Sequence, residues 1–407
     1  MNPFVLLLIL FCIVSSAKSQ PTFSTLSSGI QPSSGGVRTI CYDTTSNILY
    51  AAGGFHATGD GVTALRVAQW DGVSWDSVGS GAISGIVGNL VMFDGQIYAG
   101  GGVFSTVGGI VAKGCSRWDG NNWYKVADFT ENSYASVYGL NVIDNELYVL
   151  GGYNFIDSTI AYGISKFDGI SLTIFPILEQ VPNSGYVVCA AKFNNELYIG
   201  GNFNGGTGKK DIAKFDGNNW VSVGGGFSGG FTWVNDMIVY QNKLYIAGYF
   251  QVSGGDPGNG IVCWDGSNWC QAGTGLLPSN VWNLHEFGGE LYACGQINNA
   301  GGISVTSVAK WDGSNWYDLG SFFDNSASAF ASNSNDLFIG GGFITIDGDT
   351  MNGITKYTLP VGIEENESIV NEIEILFPPT PPQISLTSNQ TTVSYIKFNY
   401  LIFQERW

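Results

Sequence analysis

Charge is what this chain has least of. Only 12% of its 407 residues are Asp, Glu, Lys or Arg, about half the ordinary share. The charge present is mostly of one sign, 33 acidic residues against 16 basic, for a formal net charge of −17. Such a surface repels phosphate backbones and anionic bilayers, which excludes nucleic acid as a partner. There are four arginines, Arg38, Arg66, Arg117 and Arg406, and two histidines, His56 and His285. No pair of histidines has the spacing of a metal site. Prolines number 12, while aromatics reach 14%; a disordered chain has too few rings for that.

Long apolar runs are also scarce. Residues 4–14 are continuously apolar, too short a run to cross a bilayer. With Ala17-Lys18-Ser19 behind it, the run reads as a signal peptide over 1–19, cleaved before Gln20. No other stretch is long enough to span a membrane. The expectation is an exported protein with no membrane insertion after cleavage, acting as a monomer.

Glycine is abundant, 58 residues, about twice ordinary usage. The glycines fall in a repeat. Residues 308–316 read V-A-K-W-D-G-S-N-W, and 212–220 read I-A-K-F-D-G-N-N-W. Asp-Gly between two short apolar runs is a hairpin signal, because glycine accepts positive φ and the Asp side chain caps the turn. The aromatic that opens the mark is Trp70, Trp118, Phe167, Phe215, Trp264 and Trp311, with a degenerate copy at Tyr357. Four of these carry the full Trp-Asp-Gly: Trp70-Asp71-Gly72, Trp118-Asp119-Gly120, Trp264-Asp265-Gly266 and Trp311-Asp312-Gly313. Packing and turn formation are the roles expected of them, since function rarely needs one residue many times over.

A second mark precedes each copy: Leu49-Tyr50, Ile97-Tyr98, Leu147-Tyr148, Leu197-Tyr198, Leu244-Tyr245, Leu291-Tyr292 and Leu337-Phe338, each followed by glycine. Those glycines are expected to let neighbouring units approach. One unit contains four apolar runs, 187–193, 197–201, 212–215 and 220–223, and none has helical period. A repeat of 40–50 residues with four short strands is a propeller blade. The fold class expected is all-β, a seven-bladed β-propeller of four-stranded blades over 20–361. The seventh unit lacks a fourth strand. Residues 23–29, F-S-T-L-S-S-G, match 75–81, W-D-S-V-G-S-G. Residues 23–26 are therefore expected to pair antiparallel beside 354–359 and close the ring.

The L-Y-x-G-G mark with aromatic-D-G-x-x-W is similar to kelch repeats, and closer to the W-D-G propeller repeats of bacterial secreted proteins and fungal cortical cell-polarity markers. The resemblance implies the propeller and says little about activity. Composition changes at Ile363, and 362–407 form a linker and a tail, short strands or disordered. The run Ile373-Glu374-Ile375-Leu376-Phe377-Pro378 and the stretch 399–405 resemble a shortened C-terminal sorting domain of the type IX secretion system, with Pro379 where that family has Asn. That resemblance implies the cell surface or the medium as destination, with the periplasm if the shortened tail does not sort.

Residues for catalysis are few. The arginines do not group as a sialidase needs, the lone histidines do not suit a copper oxidase, and Asp347-Gly348-Asp349 offers too few oxygens for an EF-type calcium loop. No cofactor and no catalytic or metal residues are assigned. Cys263 and Cys270 bracket the 264–269 hairpin symmetrically, so a cross-strand disulfide is expected if export allows oxidation, against two free thiols otherwise. The functional expectation is a non-catalytic binding or adhesion module for an extracellular glycan or protein. Its surface would be the loops between second and third strands, such as 205–211 and 254–259. The alternatives are a propeller enzyme, a glycan hydrolase or lyase with a central-channel site, and a purely structural envelope protein.

Overall fold

A computed structural model describes residues 21–31, 35–82, 85–102, 106–130, 136–175, 185–204 and 208–359, and two short strands beyond them. The contacts divide the chain into a body over Gln20–Pro360 and a second unit made of Met1–Ser19 and Val361–Trp407. The expected signal peptide lies outside the described residues. So does most of the tail, where Ile375–Leu376 pairs antiparallel with Gln383–Ile384.

The body is all-β, with one 3-10 turn at Val252–Gly254, in a propeller-like arrangement of sheets. The repeat mark folds as a four-stranded antiparallel meander. In one unit these strands are Tyr186–Phe193, Glu196–Asn204, Lys210–Phe215 and Trp220–Ser222, paired in that order. Two larger sheets arise where the second strand of one unit reaches the first strand of the next, at Gly102↔Ser136 and Tyr249↔Asn280. The first strands pack beside one another, one unit after the next.

Every first strand carries a bulge at the same place, as at Val187/Cys189, Val234/Asp236 and Val281/Asn283. A bulge bends its strand and tightens the local twist. It also leaves N–H groups to be paired from outside the ladder, and side chains of the preceding unit pair them. Leu90 N–H donates to Thr39 Oγ1 at 3.3 Å, Ala190 N–H to Asn141 Oδ1 at 3.0 Å and Phe330 N–H to Asn283 Oδ1 at 3.0 Å. These donors and acceptors lie about one repeat apart, so the first strands run in one direction, side by side.

The second-strand glycines answer two different demands. A Cβ at Gly100, Gly200 or Gly340 would meet Val137, Val234 or Val37 of the adjacent unit, which is the inter-unit approach expected of them. A Cβ at Gly201, Gly248 or Gly295 would instead strike the carbonyl of Tyr186, Trp233 or Asn280 in the same unit. That second set serves the bulge.

The N-terminal strand is Thr22–Thr25, paired antiparallel with Ile354–Thr358 through Phe23↔Tyr357. It starts one residue earlier than the match to 75–78 implies. The sheet is thus Thr22–Thr25, Ile354–Thr358, Asp336–Gly341 and Ala327–Ser332, with both ends of the body in one ladder.

Second-to-third-strand connections are more ordered than open loops. Several fold into two-residue hairpins, Thr106–Val107 with Ile110–Val111, Asn299–Ala300 with Ile303–Ser304, and Thr345–Ile346 with Asp349–Thr350. Asp347-Gly348 is the turn of the last, and Asp347 Oδ1 accepts from Phe322 N–H at 2.7 Å. That carboxylate ties the hairpin to the preceding connection. Among the described residues no group of three or more His, Cys, Asp or Glu side chains is placed to hold a metal.

Candidate functional site

The repeated Asp-Gly pairs form the third-to-fourth-strand turns. Asp312 Oδ1 accepts from Ser314 N–H and Asn315 N–H, both at 2.7 Å, and Asp71, Asp119 and Asp265 bond the same two positions. These backbone hydrogen bonds hold the four carboxyls below the ordinary aspartate range. Gly72, Gly120, Gly266 and Gly313 all have φ near +100°, a region that only glycine enters without strain. Around each turn the rings pair, Trp118 with Trp123 at 5.4 Å and Trp311 with Trp316 at 5.2 Å between centroids.

The second ring of each pair reaches the preceding unit. Trp75 Nε1–H donates to Leu26 O, Trp123 to Val78 O, Trp269 to Gly224 O and Trp316 to Ala272 O, at 2.8 to 3.0 Å. These residues are clamps between units. Cys263 and Cys270 stand opposite each other in the register, with Cα atoms 4.8 Å apart and sulfurs at bonding distance.

What breaks the repeat is concentrated elsewhere, where first strands begin and second strands end. The position after the second-strand glycine is Gly54, Gly102, Gly152 and Gly342 in four units, but Asn202, Tyr249 and Gln296 in three successive ones. Opposite those three across the register stand Tyr186, Trp233 and Asn280. Tyr138 occupies the bulge position of the unit before them, and Trp282 that of the last of the three.

These residues form one continuous rim. Tyr138 and Tyr186 lie 4.7 Å apart between ring centroids. Asn202 Nδ2–H donates to Thr232 O at 2.7 Å, beside Trp233. Phe231, Trp233 and Tyr249 cluster with centroids 5.2 to 6.2 Å apart. Tyr249 is the register partner of Asn280, whose amide accepts from Trp282 Nε1–H at 3.0 Å and donates to Gln296 Oε1 at 2.9 Å. Phe231 is 67% and Tyr138 40% exposed, so these two rings face solvent, while Tyr186, Trp233, Tyr249 and Trp282 are half-buried. Trp233 Nε1–H is buried without an acceptor among the described residues.

Buried polar groups brace the rim from behind. Asp211 is 1% exposed, accepts from Phe203 N–H at 3.0 Å, and accepts from the Thr232 hydroxyl. Burial pushes its carboxyl up to about 6, against those two hydrogen bonds. Asp256 Oδ1 accepts from Ser228 N–H at 2.9 Å and Gly229 N–H at 2.7 Å, and the Lys210 ammonium is held by the Gly229 carbonyl. The segment carrying Phe231 is therefore fixed at both sides. Deeper along the first strands, Asp236 Oδ2 accepts from Asn283 Nδ2–H at 2.7 Å and Leu284 N–H at 2.8 Å, and burial pushes it up to about 6 as well. Burial drives His285 down to about 4, and its ring nitrogen lies 2.8 Å from Ser332 Oγ.

The expected loop surface and this rim share one end of the meanders, because the second-to-third-strand connections leave from the residues that end the second strands. Of the two loops singled out in the sequence, 254–259 is described and 205–207 is not. Asn259 bridges its own loop to the next connection, accepting from Val252 N–H and donating to Thr274 O. The rim residues themselves carry no repeat mark. Their signal was the reverse, a column of glycines interrupted in consecutive units by larger side chains.

No protein-family model matches the chain, and no curated protein matches it. The kelch-like and sorting-domain resemblances therefore stand on their quoted residues alone. Among solved structures the chain is similar to the extracellular domain of a protein described as a one-component system from B. thetaiotaomicron. The TM-score is 0.51 and the identity 12%, over 82% of this chain and 39% of that one. The chain thus spans about two fifths of the length of that structure. At this identity the likeness speaks for the fold alone.

Proposed function

We propose that the chain is an exported propeller of seven blades whose rim end binds an extracellular glycan or protein, without catalysis. The observation that carries the reading is the interrupted glycine column. A repeat scaffold needs the same small residue at each equivalent position, so Asn202, Tyr249 and Gln296, flanked by exposed rings, serve something other than packing. Their placement at one end of a rigid scaffold is where such folds recognise partners.

Support for seven blades comes from the chain of packed first strands. Val37–Asp43 lies against Ile86–Phe93, the series continues unit by unit, and Ala327–Ser332 returns to Val37–Asp43, where Ser328 Oγ–H donates to Val37 O at 2.6 Å. Export is supported by the apolar run of 4–14 followed by Ala17-Lys18-Ser19 and by a solved neighbour that is an extracellular domain. Among the described residues no helix is long and apolar enough to cross a membrane. The tail is proposed to act in sorting to the cell surface, supported by its type IX-like residues and the paired strands at Ile375–Leu376 and Gln383–Ile384.

The test is binding of the chain from Gln20 onward to a glycan array and to envelope proteins, with localisation of the full chain in its host. Retention of at least one ligand, unaltered after incubation, is the expected result. A ligand that is cleaved would replace the reading with an enzyme, and absence of any ligand would leave a structural role.

A further inference from the structure

Resting on that binding reading, we infer that the rim from Tyr138 to Trp282 takes uncharged sugars, as an extended glycan laid across the ends of four successive units. A pyranose ring has a face of C–H bonds and an edge of hydroxyls. The C–H face packs on aromatic rings, and hydroxyls pair best with groups that both donate and accept.

The rim offers these two chemistries in alternation. The Tyr138–Tyr186 pair is followed by Asn202, then by the Phe231, Trp233 and Tyr249 cluster, then by Asn280 with Trp282. Phe231, 67% exposed beside two other rings, has no core to fill, and an apolar ring held in water by a braced segment is a platform. Its bracing by Asp211 through Thr232 and by Asp256 through Gly229 means little ordering is left to be done when a ligand arrives, which favours affinity.

Charge selects among glycans. The net charge of −17 disfavours uronates and sulfated chains. Lys210, behind the Phe231 segment, is already engaged by the Gly229 and Gly230 carbonyls, so it is not free to grip an anion. Recognition then rests on stacking and amide hydrogen bonds, which salt screens little.

Tryptophan fluorescence and calorimetry on the chain from Gln20 onward decide the matter, using neutral β-glucan, xylan, mannan and α-glucan oligosaccharides beside oligogalacturonate and sulfated oligosaccharides. The expected result is binding of at least one neutral series, tighter with chain length and insensitive to salt, with the anionic series inert. Trp233→Ala should weaken it about tenfold or more, roughly the loss of one stacked ring. Phe231→Ala, at a solvent-facing position, should weaken it too with unchanged melting, and serves if Trp233→Ala fails to fold. Neutral binding untouched by Phe231→Ala and Tyr138→Ala would overturn the location. Preference for anionic glycans with steep salt dependence would overturn the chemical class. An envelope protein bound through Phe231, with every sugar inert, would overturn the sugar and leave the binding reading standing; no ligand of either kind would overturn both.

Discussion

In four of the repeat turns the second tryptophan gives its N–H to a backbone carbonyl of the preceding unit. Trp316 donates to Ala272 O at 2.9 Å while its ring packs on Trp311. Trp316→Phe keeps most of the apolar area and strands that carbonyl. It should cost about 1 kcal/mol, read as a lower urea midpoint at constant slope. The buried aspartates give the protein a pH signature. With its carboxyl raised from 3.8 to about 6, folded Asp211 keeps a proton that the unfolded chain has released. Stability from this group therefore falls as pH rises between about 4 and 6, and Asp236 acts in the same direction. His285, lowered from 6.5 to about 4, acts oppositely, since there the unfolded chain holds the extra proton. Asp211→Asn should flatten the fall in melting temperature over that window, and an unchanged profile would place the titration elsewhere. For Cys263 and Cys270, whose Cα atoms lie 4.8 Å apart, alkylation without reduction should leave both unmodified in the exported protein, with a crosslinked peptide on mass mapping.

At the scale of the strand, the bulge links sequence to site. It bends each first strand, requires a glycine opposite, and sets which residues reach the rim. Gly201→Ala places a methyl against the Tyr186 carbonyl, a backbone atom that cannot swing aside. About 2 kcal/mol or more should be lost, and Tyr186 should shift, so ligand binding at the rim should weaken with stability. Gly230→Ala meets nothing within 4 Å and should change the urea midpoint little. Equal effects from the two would mean that glycine matters here through unfolded-chain entropy rather than through the bulge.

Over the whole body, the N-terminal strand joins the first and last units. Thr22–Thr25 covers the edge of Ile354–Thr358, and Leu26 O receives the Trp75 clamp at 2.8 Å, so a single short segment completes the last sheet and holds the first unit. An uncovered edge is also a template for pairing with other chains. Deleting residues 20–30 should lower the melting temperature by many degrees and produce aggregates on size-exclusion chromatography. A deletion that stays monomeric with unaltered melting would show that this strand carries no share of the closure.

Strand content, the four-strand unit and, to within one residue, the pairing of the N-terminal strand with the last sheet could be read from the sequence, because each is written in local spacing. Asp-Gly sets a turn, an apolar pair sets a strand, and a missing fourth strand is visible as an unmatched unit. The turn aspartates and paired rings were legible for the same reason, since repetition marks what packing needs. The rim was not. Tyr138 and Tyr186 are far apart along the chain and meet only because first strands of successive units lie side by side, and Tyr249 meets Asn280 only where the second strand of one unit pairs with the first strand of the next. The brace of Asp211 on Thr232 likewise crosses from one unit to the next. Local pattern determines which segments become strands and turns. Which side chains share a surface is decided by packing between units, where contacts between distant residues depend on the path of the whole chain.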